Sequence, residues 1–302
     1  MTSITRGEVM TKSRVVTAAF VAVSIASPAF AADLLKAPAA PLAVPSWSGF
    51  YIGGEVGGKW VTDDWTTTCV QGGSGIVQSL CSNGTFVNAF AGAPDSTASN
   101  SFKTSGLRAG VYLGAMTQIS PNWVLGLEGD YAFYKQSASV TGLVGCETLG
   151  CRGILAASRF TTALDSTGVT NKDDFSIRPR LGFLVTPDIM LYGTGGLAFQ
   201  RVEASMACGG VVGSPAKSSV ACHSFELSQT DGSWRPGWTV GGGVELKLAN
   251  IGLPNWLLRG EYRYSDFGTW KPNFFQGSGV IEVFPNIKVT SQIATAGLAY
   301  KF

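Results

Sequence analysis

Hydrophobic and polar residues alternate with a period of two in eight separate runs of this chain. In residues 49–61, Phe50, Ile52, Val56 and Trp60 share one phase while Tyr51, Glu55 and Lys59 share the other. Gly106 to Ile119 sets Leu107, Val111, Leu113 and Ile119 against Arg108, Tyr112 and Gln118, and Trp123 to Phe133 sets Trp123, Leu125, Leu127, Tyr131 and Phe133 against Glu128 and Asp130. Phe175 to Thr186 opposes Phe175, Ile177, Leu181, Phe183 and Val185 to Arg178 and Arg180. Met190 to Phe199 is too rich in glycine to show its phase. Gly237 to Leu248 opposes Trp238, Val240, Val244, Leu246 and Leu248 to Thr239, Glu245 and Lys247, and Trp256 to Phe267 opposes Trp256, Leu258, Tyr262 and Tyr264 to Arg259, Glu261 and Arg263. The last run, Ile287 to Phe302, carries Ala294, Ala296, Leu298, Tyr300 and Phe302 on one face and Ile293, Thr295, Gly297, Ala299 and Lys301 on the other.

A period of two is that of a β-strand with one face in an apolar medium. Links after the second, fourth and sixth runs are a few residues long, whereas 62–105, 134–174, 200–236 and 268–286 are long. Short turns at one end and long loops at the other are the rule for outer-membrane barrels. Aromatic residues gather near both ends of the runs, as a bilayer's two interfaces select. The expectation is an all-β fold, a transmembrane antiparallel β-barrel of eight strands, with both termini on the periplasmic side. Strand character in Gly84 to Ala91 and Ile154 to Leu164 leaves ten strands as the alternative. Pro179 interrupts the fourth run and predicts a bulge or a missing ladder bond.

The beginning of the chain gives an address. Lys12 and Arg14 precede the apolar run Val15 to Ala26, which is shorter than the roughly 20 residues of a membrane helix, and Ala29-Phe30-Ala31 supplies a small-x-small cleavage site. Residues 1–31 therefore read as a signal peptide, with Met10 the better start because Glu8 does not suit the basic head of such a peptide. Residues 32–46 read as a proline-rich periplasmic lead-in, and 47–302 as the barrel domain. Charged residues are 14% of the chain and formal charge is +2, which supplies no basic stripe for a nucleic acid.

Five segments carry a family resemblance: WSGFYIGGEVGG (Trp47 to Gly58), YGTGGLAF (Tyr192 to Phe199), GWTVGGGVE (Gly237 to Glu245), LRGEYRYSDFG (Leu258 to Gly268) and the final GLAYKF. In this order they resemble the small porin-family, or outer-membrane immunogenic, barrels of Gram-negative bacteria, relatives of the OmpA-like transmembrane domain. The resemblance implies an outer-membrane location, contact with outer-membrane lipid and lipopolysaccharide, insertion by the barrel-assembly machinery with Leu298, Tyr300 and Phe302 as the C-terminal signal, and no cofactor.

The six cysteines fall in pairs within three long links: Cys69 with Cys81, Cys146 with Cys151, and Cys208 with Cys222. In an exported chain this predicts one disulfide per loop. Zinc at Cys208, Cys222 and His223 is the competing reading, but the spacing is not that of a zinc ribbon. Gly193-Thr194-Gly195-Gly196 and Gly241-Gly242-Gly243 precede no helical pattern, so they read as relief of crowding in a narrow barrel rather than as phosphate cradles. His223 is the sole histidine, and no motif places an acid or nucleophile with it, so no enzyme is expected.

The inward charges form the candidate site: Glu55, Glu128, Asp130, Glu245 and Glu261 with Lys59, Arg108, Arg178, Arg180, Lys247, Arg259, Arg263 and Lys301. An eight-stranded barrel is just wide enough for side chains to fill it, so these charges pair or are hydrated. Glu261, flanked by two arginines on its own strand, is the expected anchor. A plug of ion pairs fits a structural and surface protein that supports the envelope and exposes antigenic loops. The excess of bases keeps a narrow pore for ions or small solutes as the alternative, and loop length alone suggests an adhesin.

Overall fold

The computed structural model describes residues 46–69, 81–82, 85–86, 99–141, 166–208, 227–272, 274 and 283–302. The predicted signal peptide, all of the lead-in but Ser46, the cysteine side chains, His223 and Ile154 to Leu164 lie outside the described residues.

The strands are β1 (Gly49–Cys69), β2 (Cys81–Ser82), β3 (Thr85–Phe86), β4 (Ser99–Gln118), β5 (Trp123–Phe133), β6 (Gln136–Thr141), β7 (Ser166–Thr186), β8 (Ile189–Cys208), β9 (Leu227–Leu248), β10 (Leu253–Trp270) and β11 (Val283–Lys301). Antiparallel pairing runs β5-β4-β1-β11-β10-β9-β8-β7, and β7 pairs back onto β5, which closes a ring of eight strands. β6 continues the line of β5 along β7, while β2 and β3 form a separate two-residue hairpin. Closure leaves the transmembrane ring with no free edge, the condition for sheet to exist in lipid. The short turns and both described ends of the chain lie at one end of the barrel, the turn end. The long links lie at the other, the loop end.

The strands are longer than the alternating runs. β1 and β7 each have 21 residues and β9 has 22. At about 3.3 Å per residue and a tilt near 40°, such strands rise roughly 50 Å, about twice the roughly 25 Å apolar band of an outer-membrane barrel. Much of what reads as long loop, including 62–69, 99–105, 166–174, 200–208 and 227–236, is therefore strand. The reason lies in the faces. Below Trp60 the outer wall is apolar, with Phe50 71%, Leu107 72% and Leu113 62% exposed, and the inner wall is charged. Above it the order inverts: Asp64, Thr66, Ser101, Lys103 and Arg201 face outward, and Val61, Trp65, Phe102, Val202 and Ile287 are buried inside. The first part is built for lipid, the second for water.

Pro179 produces no bulge. Pairing with β8 keeps its register from Ile177↔Leu197 to Arg180↔Thr194 with no pairs at 178 and 179, and the Thr194 hydroxyl donates to the Pro179 carbonyl at 3.0 Å. The phase of β8, hidden by glycine in the sequence, places Met190, Tyr192, Thr194 and Ala198 inside.

Candidate functional site

The lumen holds three successive layers. At the turn end, Trp47 folds back across the mouth and is fully buried. Its backbone N–H donates to Gln118 Oε1 at 3.3 Å and its indole N–H to the Pro187 carbonyl at 3.0 Å, while the Lys247 ammonium sits 4.5 Å from its ring centroid. Trp47 packs in one cluster with Tyr51, Tyr112, Met116, Leu184, Met190, Tyr192 and Leu257. The aromatic rings lie flat only because glycine faces them. Tyr51 pairs with Gly114 and Tyr112 with Gly53 across the β1–β4 ladder. A Cβ on Gly114 would stand 2.3 Å from the Tyr51 hydroxyl, and one on Gly53 would stand 2.5 Å from the Tyr112 ring. Gly53 of the opening motif and Gly114 of β4 thus make room for tyrosines that reach the charged layer above.

That layer is a continuous network. Arg108 binds three carboxylates: Glu55, Asp130 at 2.6 Å and Asp174 at 2.7 Å. Lys59 donates to the other oxygen of Asp174 at 2.6 Å. Glu128 is the acid counterpart, receiving Arg178 at 2.8 Å, Arg180 at 3.1 Å, Arg259 at 2.7 Å and the Tyr51 hydroxyl at 2.7 Å. Arg259 also reaches Glu55 at 2.6 Å, and Arg180 reaches Glu245 at 2.6 Å. Arg263 donates to Asp130 at 2.8 Å. Glu261 accepts from Arg178 at 2.7 Å and from the Tyr192 hydroxyl at 2.6 Å. Arginine suits this role because its planar fork can satisfy two or three carboxylates at once.

Twelve of the thirteen charges named from the sequence are buried in this lumen. Lys301 is not: it lies at the rim, donating to the Ser46 and Ser48 carbonyls at 3.0 and 3.1 Å. Two acids that the sequence reading passed over are buried as well, Asp63 and Asp174. Both were readable, since counting on by two from Lys59 through Val61 gives Asp63, and counting back from Arg178 through Ser176 gives Asp174. They stood in segments assigned to loops. Among the described residues the buried set is then seven acids (Glu55, Asp63, Glu128, Asp130, Asp174, Glu245, Glu261) and seven bases (Lys59, Arg108, Arg178, Arg180, Lys247, Arg259, Arg263). The apparent base excess vanishes. Nor is Glu261 the best-connected acid, because Arg259 on its own strand turns instead to Glu55 and Glu128.

The third layer, toward the loop end, is built on aromatic and aliphatic side chains, with Asp63, Asn171 and Gln200 buried beside them. Trp65 packs edge-on to Phe102 with ring centroids 5.9 Å apart and stacks on Phe274 at 6.4 Å. Around the outside of the barrel, aromatic contacts mark two levels: Trp123 with Phe183 and Trp256 with Tyr300 near the turn end, Phe175 with Phe199 and Trp238 with Tyr264 farther up.

Comparison with known proteins gives the same picture. The family described as outer membrane protein beta-barrel domain matches residues 18–302. The 31 kDa outer-membrane immunogenic proteins of Brucella melitensis and Brucella suis are each 30% identical to this chain over 292 residues, covering 94% of it and 98% of the relative. Among solved structures, OprG of Pseudomonas aeruginosa is similar with a TM-score of 0.44, 15% identity, and coverage of 86% of this chain and 98% of that one. The outer membrane protease OmpT of Escherichia coli is similar with a TM-score of 0.45, 12% identity, and coverage of 84% and 97%. From a family match over nearly its whole length and a closed ring with an apolar outer wall, the chain belongs to the outer-membrane β-barrel family.

Proposed function

We propose that this protein is a closed structural barrel of the outer membrane that supports the envelope and lifts its outer loops clear of the lipid as an antigenic surface. The observation that carries this reading is the lumen, where seven acids and seven bases are buried between two aromatic layers. An ion path needs a hydrated passage, and here six of the acids and six of the bases are held by one another in ion pairs, with Lys247 against the Trp47 ring and Asp63 hydrogen-bonded to Asn171. The inverted upper barrel supports the second half of the proposal, because a water-facing wall roughly 25 Å tall raises the loops above the bilayer. The name of the Brucella relatives, immunogenic proteins, is consistent with such exposure.

In the same reading the turn end and both termini lie in the periplasm, and the outward Leu298, Tyr300 and Phe302, with Tyr300 edge-on to Trp256 and to Phe302, form the segment that the assembly machinery reads. Lipopolysaccharide surrounds the upper girdle. Single-channel recording in a planar bilayer tests the central claim. A silent protein is expected, and stepwise conductance from the purified wild type would return the reading to a narrow porin.

A further inference from the structure

Among the described residues, Asp63 differs from every other buried acid. It lies on β1 three residues beyond the girdle residue Trp60, in the water-surrounded part of the barrel where its neighbour Asp64 is exposed, yet it is itself 0% exposed. Among the described residues it makes no ion pair. Its Oδ2 accepts one hydrogen bond, from Asn171 Nδ2 on β7 at 2.6 Å, and its Oδ1 accepts none. Its ladder partners are Phe102 on β4 and Val289 on β11, and its own strand places Val61 and Trp65 on either side. Asn171 in turn accepts from Gln200 Nε2 on β8 at 3.0 Å, and Gln200 Oε1 is a second buried acceptor without a donor. One buried cluster therefore has two acceptors that no protein group donates to. A proton on the carboxyl turns one of them into a donor and removes a buried charge.

The ionisable groups around it do not supply that compensation. Lys59, on the same strand, is committed to Asp174 of β7 at 2.6 Å. Tyr134, following β5, donates to Thr104 of β4 at 3.4 Å. Arg235 of β9 is held 5.8 Å from the Trp270 ring centroid, and Lys288 of β11 is exposed beside Asp266 of β10 at 3.7 Å. We propose that Asp63 is a proton-operated latch of the upper barrel: with its proton on, it is a neutral group accepting from Asn171 between β1 and β7, and loss of the proton leaves an unpaired carboxylate in the interior, which loosens this part of the wall. Burial pushes the carboxyl up to about 7 from its ordinary 3.8, against the Asn171 hydrogen bond and Lys59, which pull it down, and with Asp64 raising it further. An acid raised in the folded state stabilises most below its unfolded value, and that contribution is lost as pH climbs through the folded one. The window is thus from about pH 4 to about pH 7.

The test is amide hydrogen exchange at Ser101 to Thr104, corrected for intrinsic rates, on the full barrel in micelles from pH 5 to pH 8. For a single proton the opening constant of the wild type should rise by up to about tenfold per pH unit below 7 and then level off. Asp63→Asn should abolish the slope. A wild type without slope, or a variant with the same slope, would overturn the proposal. An infrared titration of the wild type is independent of the variant: a protonated-carboxyl band that disappears near pH 7 supports the latch, and its absence at pH 5.5 refutes it.

Discussion

Arg108 and Glu128 are the two residues on which the charged layer turns. Each is buried, and each meets partners from at least three other strands. Truncating one partner of a buried ion pair strands the other, at a cost of about 3–5 kcal/mol. Arg108→Met takes one cation at once from Glu55, Asp130 and Asp174, leaving Arg259 with Arg263 at 3.7 Å to the first, Arg263 and Arg178 to the second and Lys59 to the third, so we expect a loss in this range, read as a lower midpoint of denaturant unfolding. Arg108→Lys should recover little of it, because one ammonium on a flexible stem cannot span three carboxylates that a guanidinium fork reaches together. Glu128→Gln should cost more than Glu261→Gln, since it uncovers three arginines and the Tyr51 hydroxyl rather than Arg178, Arg263 and Tyr192 with fewer direct bonds. Equal midpoints for the two glutamines would place the centre of the network elsewhere.

At the scale of the element, β1 contains both halves of the architecture. Trp60 points outward and is 50% exposed, while Trp65, five residues on, is fully buried in the upper core. Trp65→Ala removes a large ring from a packed interior and should cost about 3–5 kcal/mol. Trp60→Ala, which leaves a gap that lipid can fill, should cost clearly less by the same denaturation assay. The contrast explains what was legible in the sequence. Phe50, Ile52, Val56 and Trp60 declare a lipid-facing row because apolar residues on a period of two need an apolar medium, so strand number, the order of short and long links and the phase of every strand but the glycine-rich β8 could be read. Beyond Trp60 the row Thr62, Asp64, Thr66 is polar and resembles loop, although Val61 and Trp65 continue the alternation with the faces exchanged. Reading only for apolar outward rows hides this inversion, and with it Asp63 and Asp174. The role of Trp47 was hidden for another reason: it precedes the first strand, and only closure of the ring brings Gln118, Pro187 and Lys247 to it.

For the whole molecule, the consequence of three layers is that no single one is the gate. Trp47 lies buried at the turn end, the arginine and carboxylate network occupies the middle, and Trp65, Phe102 and Phe274 pack together toward the loop end, and in the proposed closed barrel all three are barriers. Trp47→Ala opens a cavity at the periplasmic mouth in the proposed orientation but leaves the other two layers in place. Glu128→Gln loosens the middle and leaves both ends. Each variant alone should therefore remain silent in a planar bilayer even where its unfolding midpoint falls, so that stability and conductance separate. Joining the two substitutions hydrates the lumen from the turn end to the centre, but the layer around Trp65 still stands between that water and the outside, and conductance should stay at baseline. Only when Trp65→Ala is added should discrete openings arise. Channel activity from Trp47→Ala by itself would mean that the upper barrel is already permeable, and that the cork at the turn end is the one barrier.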